Sequence, residues 1–130
     1  MASYQVIIIG AGFAGLGAAI RLRQLGVDEV RLLEKDRDVG GTWLQNTYPG
    51  CACDVSTELY SYSFALNPDW SRKYAPQAEI QTYLKACAQR FGVLDQVQLH
   101  AEVARVRWSE QQLGWTVELK SGATLRTDFP

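Results

Sequence analysis

Residues 4–15 read Tyr4-Gln5-Val6-Ile7-Ile8-Ile9-Gly10-Ala11-Gly12-Phe13-Ala14-Gly15, an apolar β-branched run that breaks abruptly into glycines. The near-continuous apolarity is that of a strand covered on both faces, as in a parallel sheet. The glycines keep the spacing G-x-G-x-x-G, a short pattern that gains weight only from its neighbours. Downstream, Ala14 to Leu25 predicts a helix. Its apolar positions Leu16, Ala19, Ile20 and Leu22 mix spacings of three and four, and Gly26 marks its C-terminal stop. Val30-Arg31-Leu32-Leu33 predicts a second short strand, closed by Glu34. Strand, turn, helix and strand fill about thirty residues, the size of one βαβ unit. The right-handed crossover rule then makes the two strands parallel neighbours.

Each glycine has a mechanical reason in such a unit. Gly10 permits the tight turn, Gly12 lets a pyrophosphate approach the backbone, and Gly15 lets the helix lie close to the sheet. Phe13 and Ala14 open the helix, whose first N–H groups and positive partial charge suit phosphate. Glu34, roughly twenty residues on, is placed to accept hydrogen bonds from ribose hydroxyls, with Lys35 beside it. An acid there favours a free 2′-hydroxyl, hence FAD or NAD over NADP at this first site. The plainer reading is a glycine-rich turn with an incidental acid.

Asp36 to Pro76 has little periodicity. It is punctuated by glycine and proline and carries Trp43, Tyr48, Tyr60, Tyr62, Phe64, Trp70 and Tyr74. A connection of that length is a functional loop or a satellite core of packed aromatics. Pro76 begins a second helix over Ala78 to Phe91, with Ile80, Tyr83, Leu84, Cys87 and Phe91 on one face. Val97 to Leu99, Glu102 to Trp108, Trp115 to Leu119 and Ala123 to Thr127 then predict short strands, the last three as an antiparallel meander. A doubly wound sheet calls for a further parallel strand beside Tyr4–Ile9. Lacking one, that strand is expected to expose an apolar edge, as in the front part of a larger protein.

Composition bounds the rest. The 130 residues are 47% hydrophobic and 21% charged, and 13 basic against 14 acidic side chains leave a net charge of −1. That balance disfavours nucleic acid and anionic membrane as partners. No apolar run reaches the roughly 18 residues of a membrane span, and the start lacks a signal peptide's basic n-region. A cytoplasmic protein is the simplest expectation. The three cysteines, an odd count, are expected to be reduced thiols. Cys51-Ala52-Cys53 with a distant His100 falls short of a zinc set, so no metal is expected. His100 is expected at a strand end, and Arg105 and Arg107 on the solvent face of a strand. Oligomeric state leaves no trace in the sequence.

The segment GGTWLQNTYPGCACDVSTELYSYSF, residues 40–64, resembles the flavin-dependent monooxygenases that pair FAD with NADPH, and within them the Baeyer–Villiger branch. The shared features are Gly40-Gly41-Thr42-Trp43, Tyr48-Pro49-Gly50, and Asp54 ahead of the tyrosine-rich stretch. The helix and meander follow the same family order. The resemblance implies an α/β, Rossmann-like FAD-binding part of a protein with two dinucleotide domains. It also implies oxidation of a ketone by O2 to an ester or lactone through a C4a-peroxyflavin. Gly10, Gly12 and Gly15 would hold the pyrophosphate and Glu34 the ribose; Gly41, Thr42 and Trp43 would line the flavin. Asp54, the catalytic candidate, would lie where the nicotinamide stacks, Tyr60 would contact FAD, and the Val103 backbone would meet the adenine. Ala52 departs from the arginine often found two positions before that aspartate. The second glycine motif for NADPH and the F-x-G-x-x-x-H-x-x-x-W-P stretch do not occur in these residues, so the chain alone is expected to turn over no substrate. The alternatives are another FAD-dependent oxidoreductase, either an oxidase or a nitrogen- and sulfur-oxidising monooxygenase, or a non-catalytic flavin-binding module.

Overall fold

A computed structural model describes residues 2–41 and 77–130. Expectations for the aromatic segment, Thr42, Trp43, Asp54 and Tyr60 included, lie outside the described residues. Strand β1 (Ala2–Ile9), helix α1 (Phe13–Gln24) and strand β2 (Val30–Leu33) form a βαβ unit, with β1 and β2 parallel and Ile9 opposite Leu33. Helix α2 (Gln77–Arg90) and a 3₁₀ turn (Leu94–Gln96) lead into β3 (Val97–Gln98), which joins β2 in parallel. Strands β4 (Val103–Ser109), β5 (Gly114–Leu119) and β6 (Thr124–Phe129) make an antiparallel meander. Across the six-stranded sheet the order is β3-β2-β1-β6-β5-β4.

That order corrects the expectation of an unpaired first strand. The third meander strand itself lies parallel beside β1, with Ala2 opposite Leu125 and Val6 opposite Phe129. Two reversals of direction bring β6 round parallel to β1, so no separate strand is needed to cover this part of the edge.

Helices α1 and α2 stop by the same device. After α1, Gly26 adopts φ +86 and donates its N–H to the Arg23 carbonyl, while Val27 N–H reaches Leu22. After α2, Gly92 adopts φ +73; Gly92 N–H reaches Gln89 and Val93 N–H reaches Ala88. This pairing satisfies the last carbonyls and demands a left-handed residue that glycine takes without strain.

The sheet separates two cores. Leu16, Ala19 and Ile20 of α1 and Ile80, Tyr83 and Leu84 of α2 bury Val30 and Leu32, with Val6 and Ile8 packed against them. On the other side Ile7 and Leu33 meet Ala101, Val117, Leu119 and Leu125. Covering on both sides explains the consecutive apolar residues Val6-Ile7-Ile8 of β1 and Leu32-Leu33 of β2. Tyr4 shares a side with Ile7, three residues on. The alternation slips where the N–H groups of Gln5 and Val6 both donate to the Glu29 carbonyl, at 2.9 and 3.1 Å. A second slip, between Val103 and Arg105, puts Val103 and Val106 inward together; Trp108, near the end of the strand, is 46% exposed and sits edge-on to Trp115. Arg105 and Arg107 are exposed and flank Glu118 on β5, Arg105 Nε at 2.8 Å. Cys87 is a free, buried thiol, and burial pushes its pKa up against the opposing pull of Tyr83 and Arg90.

Ile80 is fully buried. Ile80→Val is expected to lower stability by about 0.5–1.5 kcal/mol; a shifted denaturant midpoint at unchanged slope is the reading that checks it.

Candidate dinucleotide site

The carboxyl ends of β1 and β2 open into a cleft of about 430 Å³. Ile9, Gly10 and Gly12 form one side, and Leu33, Glu34 and Lys35 the floor. Gly41 and the segment Ala101 to Val103 complete it. In the sheet order β1 is the point from which successive strands leave in opposite directions, the place where open α/β sheets bind ligands.

The turn is built from backbone. Gly10 takes φ +99, its N–H donates to Leu33 at 2.8 Å, and a Cβ there would meet nothing within 4 Å. Gly15 is different: a Cβ would run into the Gly10 carbonyl oxygen. Helix α1 therefore lies against the turn at a distance only glycine allows. Gly41, at φ +55, approaches Gly12 so closely that a Cβ on it would sit 3.0 Å from the Gly12 Cα. Helix α1 starts at Gly12 with no side-chain cap and no acid in its first turn, which leaves the positive end of its dipole to an incoming anion.

Glu34 is 3% exposed. Its Oε1 accepts the Ala11 N–H and its Oε2 the Asp36 N–H, each at 2.9 Å. A buried carboxylate survives only with such partners, and here they also fix the glycine turn. The backbone around it is tied to the far wall: Glu34 N–H donates to Gln98, Ala101 N–H to Glu34, and His100 N–H to Asp36. His100 is exposed, at φ +53, and turns the chain from β3 into that wall.

A third group of contacts holds Gly40-Gly41 over the turn. Gly40 N–H donates to Ala11 at 2.9 Å. Asp38 Oδ1 accepts the Val39 N–H and Oδ2 the Lys85 ammonium, both at 2.8 Å. Burial alone would raise the Asp38 pKa, but the bonds from Lys85 and Val39, with the charges of Lys85 and Arg37, hold it below the usual carboxylate value.

Of the residues singled out in the sequence, Gly10, Gly12, Glu34, Lys35, Gly41 and Val103 come together in the cleft. Among the described residues, Phe13, Ala14 and Gly15 do not line it. The Phe13 ring stacks on Tyr83 of α2 with centroids 6.4 Å apart, Ala14 is exposed, and Gly15 faces Gly10. Sequence reasoning missed Ala101 and Glu102, the latter 3.2 Å from Lys120; their adjacency to Val103 was the available signal. No cluster of metal-ligating side chains occurs among the described residues, and no helix among them is long and apolar enough to cross a membrane.

Residues 8–76, more than half of the chain, match the family described as the NAD(P)-binding Rossmann-like domain. The chain belongs to that family. This Rossmann-like chain is also 48% identical over 124 residues to a Baeyer–Villiger monooxygenase of Streptomyces coelicolor, covering 95% of the chain and 24% of that protein. Among solved structures, an oxidized steroid monooxygenase bound to NADP aligns with TM-score 0.88 and 40% identity, over 96% of the chain and 25% of the neighbour. The complex of OTEMO with FAD and NADP aligns with TM-score 0.87 and 32% identity, over 95% and 24%. The Rossmann-like chain thus spans about a quarter of the length of the relatives it matches.

Proposed function

We propose that this chain holds the ADP half of FAD within an FAD- and NADPH-dependent monooxygenase of the Baeyer–Villiger type. It would act in the cytoplasm on a ketone and O2 to give an ester or lactone. The observation that carries the proposal is the cleft at the ends of β1 and β2, with Glu34 on its floor and the uncapped start of α1 at its side. The residues fit the group on two counts. The position of a Cβ on Gly10 is open space, so the turn has room for phosphate. Each oxygen of Glu34 accepts one backbone N–H, which leaves acceptor capacity on both for ribose hydroxyls. The likeness to monooxygenases over nearly the whole chain supports the reaction type.

In this reading the protein chiefly binds and orients. Gly10, Gly12 and the N–H groups at Phe13, Ala14 and Gly15 take the pyrophosphate, Glu34 and Lys35 the ribose, and the Val103 backbone the adenine. Gly41, Thr42, Trp43 and Tyr60 lie along the cofactor and exclude water, and Asp54 positions the nicotinamide amide and handles a proton beside it. Bound FAD supplies the passage of two electrons from NADPH and the activation of O2. Of these 130 residues, which would form part of the FAD-binding domain, Asp54 alone is assigned a contact with NADPH.

Titration of the chain with FAD, followed by quenching of flavin fluorescence, tests the proposal. Saturable binding is expected, with ADP competing and FMN not, since FMN lacks the adenosine that the cleft reads. A 2′-phosphate would face the Glu34 carboxylate, so 2′,5′-ADP is expected to compete at least about tenfold more weakly than ADP, a difference of about 1.4 kcal/mol. Equal binding of FMN and FAD, or no binding of FAD, would overturn it.

A further inference from the structure

Helix α2 lies outside the cleft, yet a continuous set of contacts runs from it to the glycine turn. The Lys85 ammonium bonds Asp38, and the Gln81 amide donates to the Val39 carbonyl at 3.3 Å. Asp38 in turn holds the Val39 N–H, the Val39 side chain is 1% exposed among Ile80, Tyr83 and Leu84, and Gly40 N–H reaches Ala11. The next residue, Gly41, presses its backbone against Gly12. Burial of Val39 anchors this short segment in the core but leaves rotation about it open. The three bonds from Asp38 and Gln81 to Lys85 and the Val39 backbone remove that freedom.

We propose that Lys85, Asp38 and Gln81 form a clamp that sets how closely the Gly40-Gly41 backbone sits on the glycine turn, and so sets the affinity for the dinucleotide pyrophosphate. The proposal rests on the cleft being a dinucleotide site. None of the three side chains lines the cleft; they are positioning residues that act through Val39 and Gly40. The design places control of the site on one face of α2, where Gln81 and Lys85 are four residues apart and project together. Lys85 is partly exposed, so its loss should leave the core intact while loosening the clamp.

The test measures FAD dissociation constants of the wild-type chain, Lys85→Met, Lys85→Arg, Asp38→Asn and the Lys85→Met/Asp38→Asn double variant, with thermal midpoints recorded alongside. Lys85→Met is expected to weaken FAD roughly two- to fivefold, the scale of a partly exposed ion pair, with Lys85→Arg restoring wild-type affinity. The double variant is expected to be no weaker than the worse single one, since both remove one contact. If the wild type binds FAD and Lys85→Met binds it equally well, the clamp is refuted while the site stands. Failure of Lys85→Arg to restore affinity, or a loss that tracks the thermal midpoint in every variant, also refutes it. If the wild type binds no FAD, it is the reading of the cleft that falls.

Discussion

Gly15→Ala is expected to abolish measurable FAD binding and to lower the thermal midpoint of the chain sharply. The added methyl would meet the Gly10 carbonyl oxygen, and would lie 3.0 Å from the carbonyl carbon and 3.4 Å from the Ile8 Cγ2. The obstacle is backbone, so no rotamer change relieves it. Either α1 moves off β1 or the Gly10 turn is rebuilt. Overpacking of this kind costs about 1–3 kcal/mol and sometimes more, and the immobility of the turn puts this case at about 3 kcal/mol or above. The same substitution at Gly12 is informative by contrast: a Cβ there would sit 3.5 Å from the Gly41 Cα, an ordinary contact. Gly12→Ala should therefore leave the apo protein folded while its methyl competes with phosphate. Thermal melts with and without FAD separate the two; equal losses of apo stability would refute the distinction.

The second large effect belongs to Glu34. Glu34→Gln keeps the size of the side chain but turns an acceptor towards a donor: its amide can accept from Ala11 or from Asp36, not from both as the carboxylate does. One buried N–H then loses its partner, at about 1–3 kcal/mol, and the charge that strengthens the other bond is gone. Apo stability and FAD affinity should fall together, each by the scale of one charge-assisted bond, about 1.5–3 kcal/mol. Denaturant unfolding of the apo chain, with FAD titration in parallel, checks this. A loss confined to FAD affinity would mean that Glu34 touches the ribose without supporting the turn.

Much of this was legible in the residues, for local reasons. The β-branched run, the glycines and Gly26 each carry a conformational demand that no distant contact overrides, so the βαβ unit could be drawn from the sequence. Tertiary placement was harder. That β6 would flank β1 depended on counting reversals through the meander, and the strands Glu102–Trp108 and Ala123–Thr127 carry no mark of which neighbour they choose. Phe13 illustrates the limit at the site: the glycine motif marks its backbone N–H for phosphate but gives no sign that its ring stacks on Tyr83 of α2. The double use of Glu34 was equally hidden, because its bonds to Ala11 and Asp36 exist only once the turn has closed. Gln81 and Lys85 fall outside the apolar face of the second helix, and nothing in their spacing points to Val39 or to Asp38, 42 and 47 residues away.

Strand β1 gains β6 as a neighbour from residues 125–129, and the buried Thr127 hydroxyl reaches the Gln5 carbonyl at 3.1 Å across 122 positions of chain. Closing so long a loop is slow and entropically costly before its contacts can repay it. During synthesis the first-made strand must wait, one margin bare, until nearly all of these residues have left the ribosome. Strand β1, made before the other strands described, is thus among the last of them to be locked.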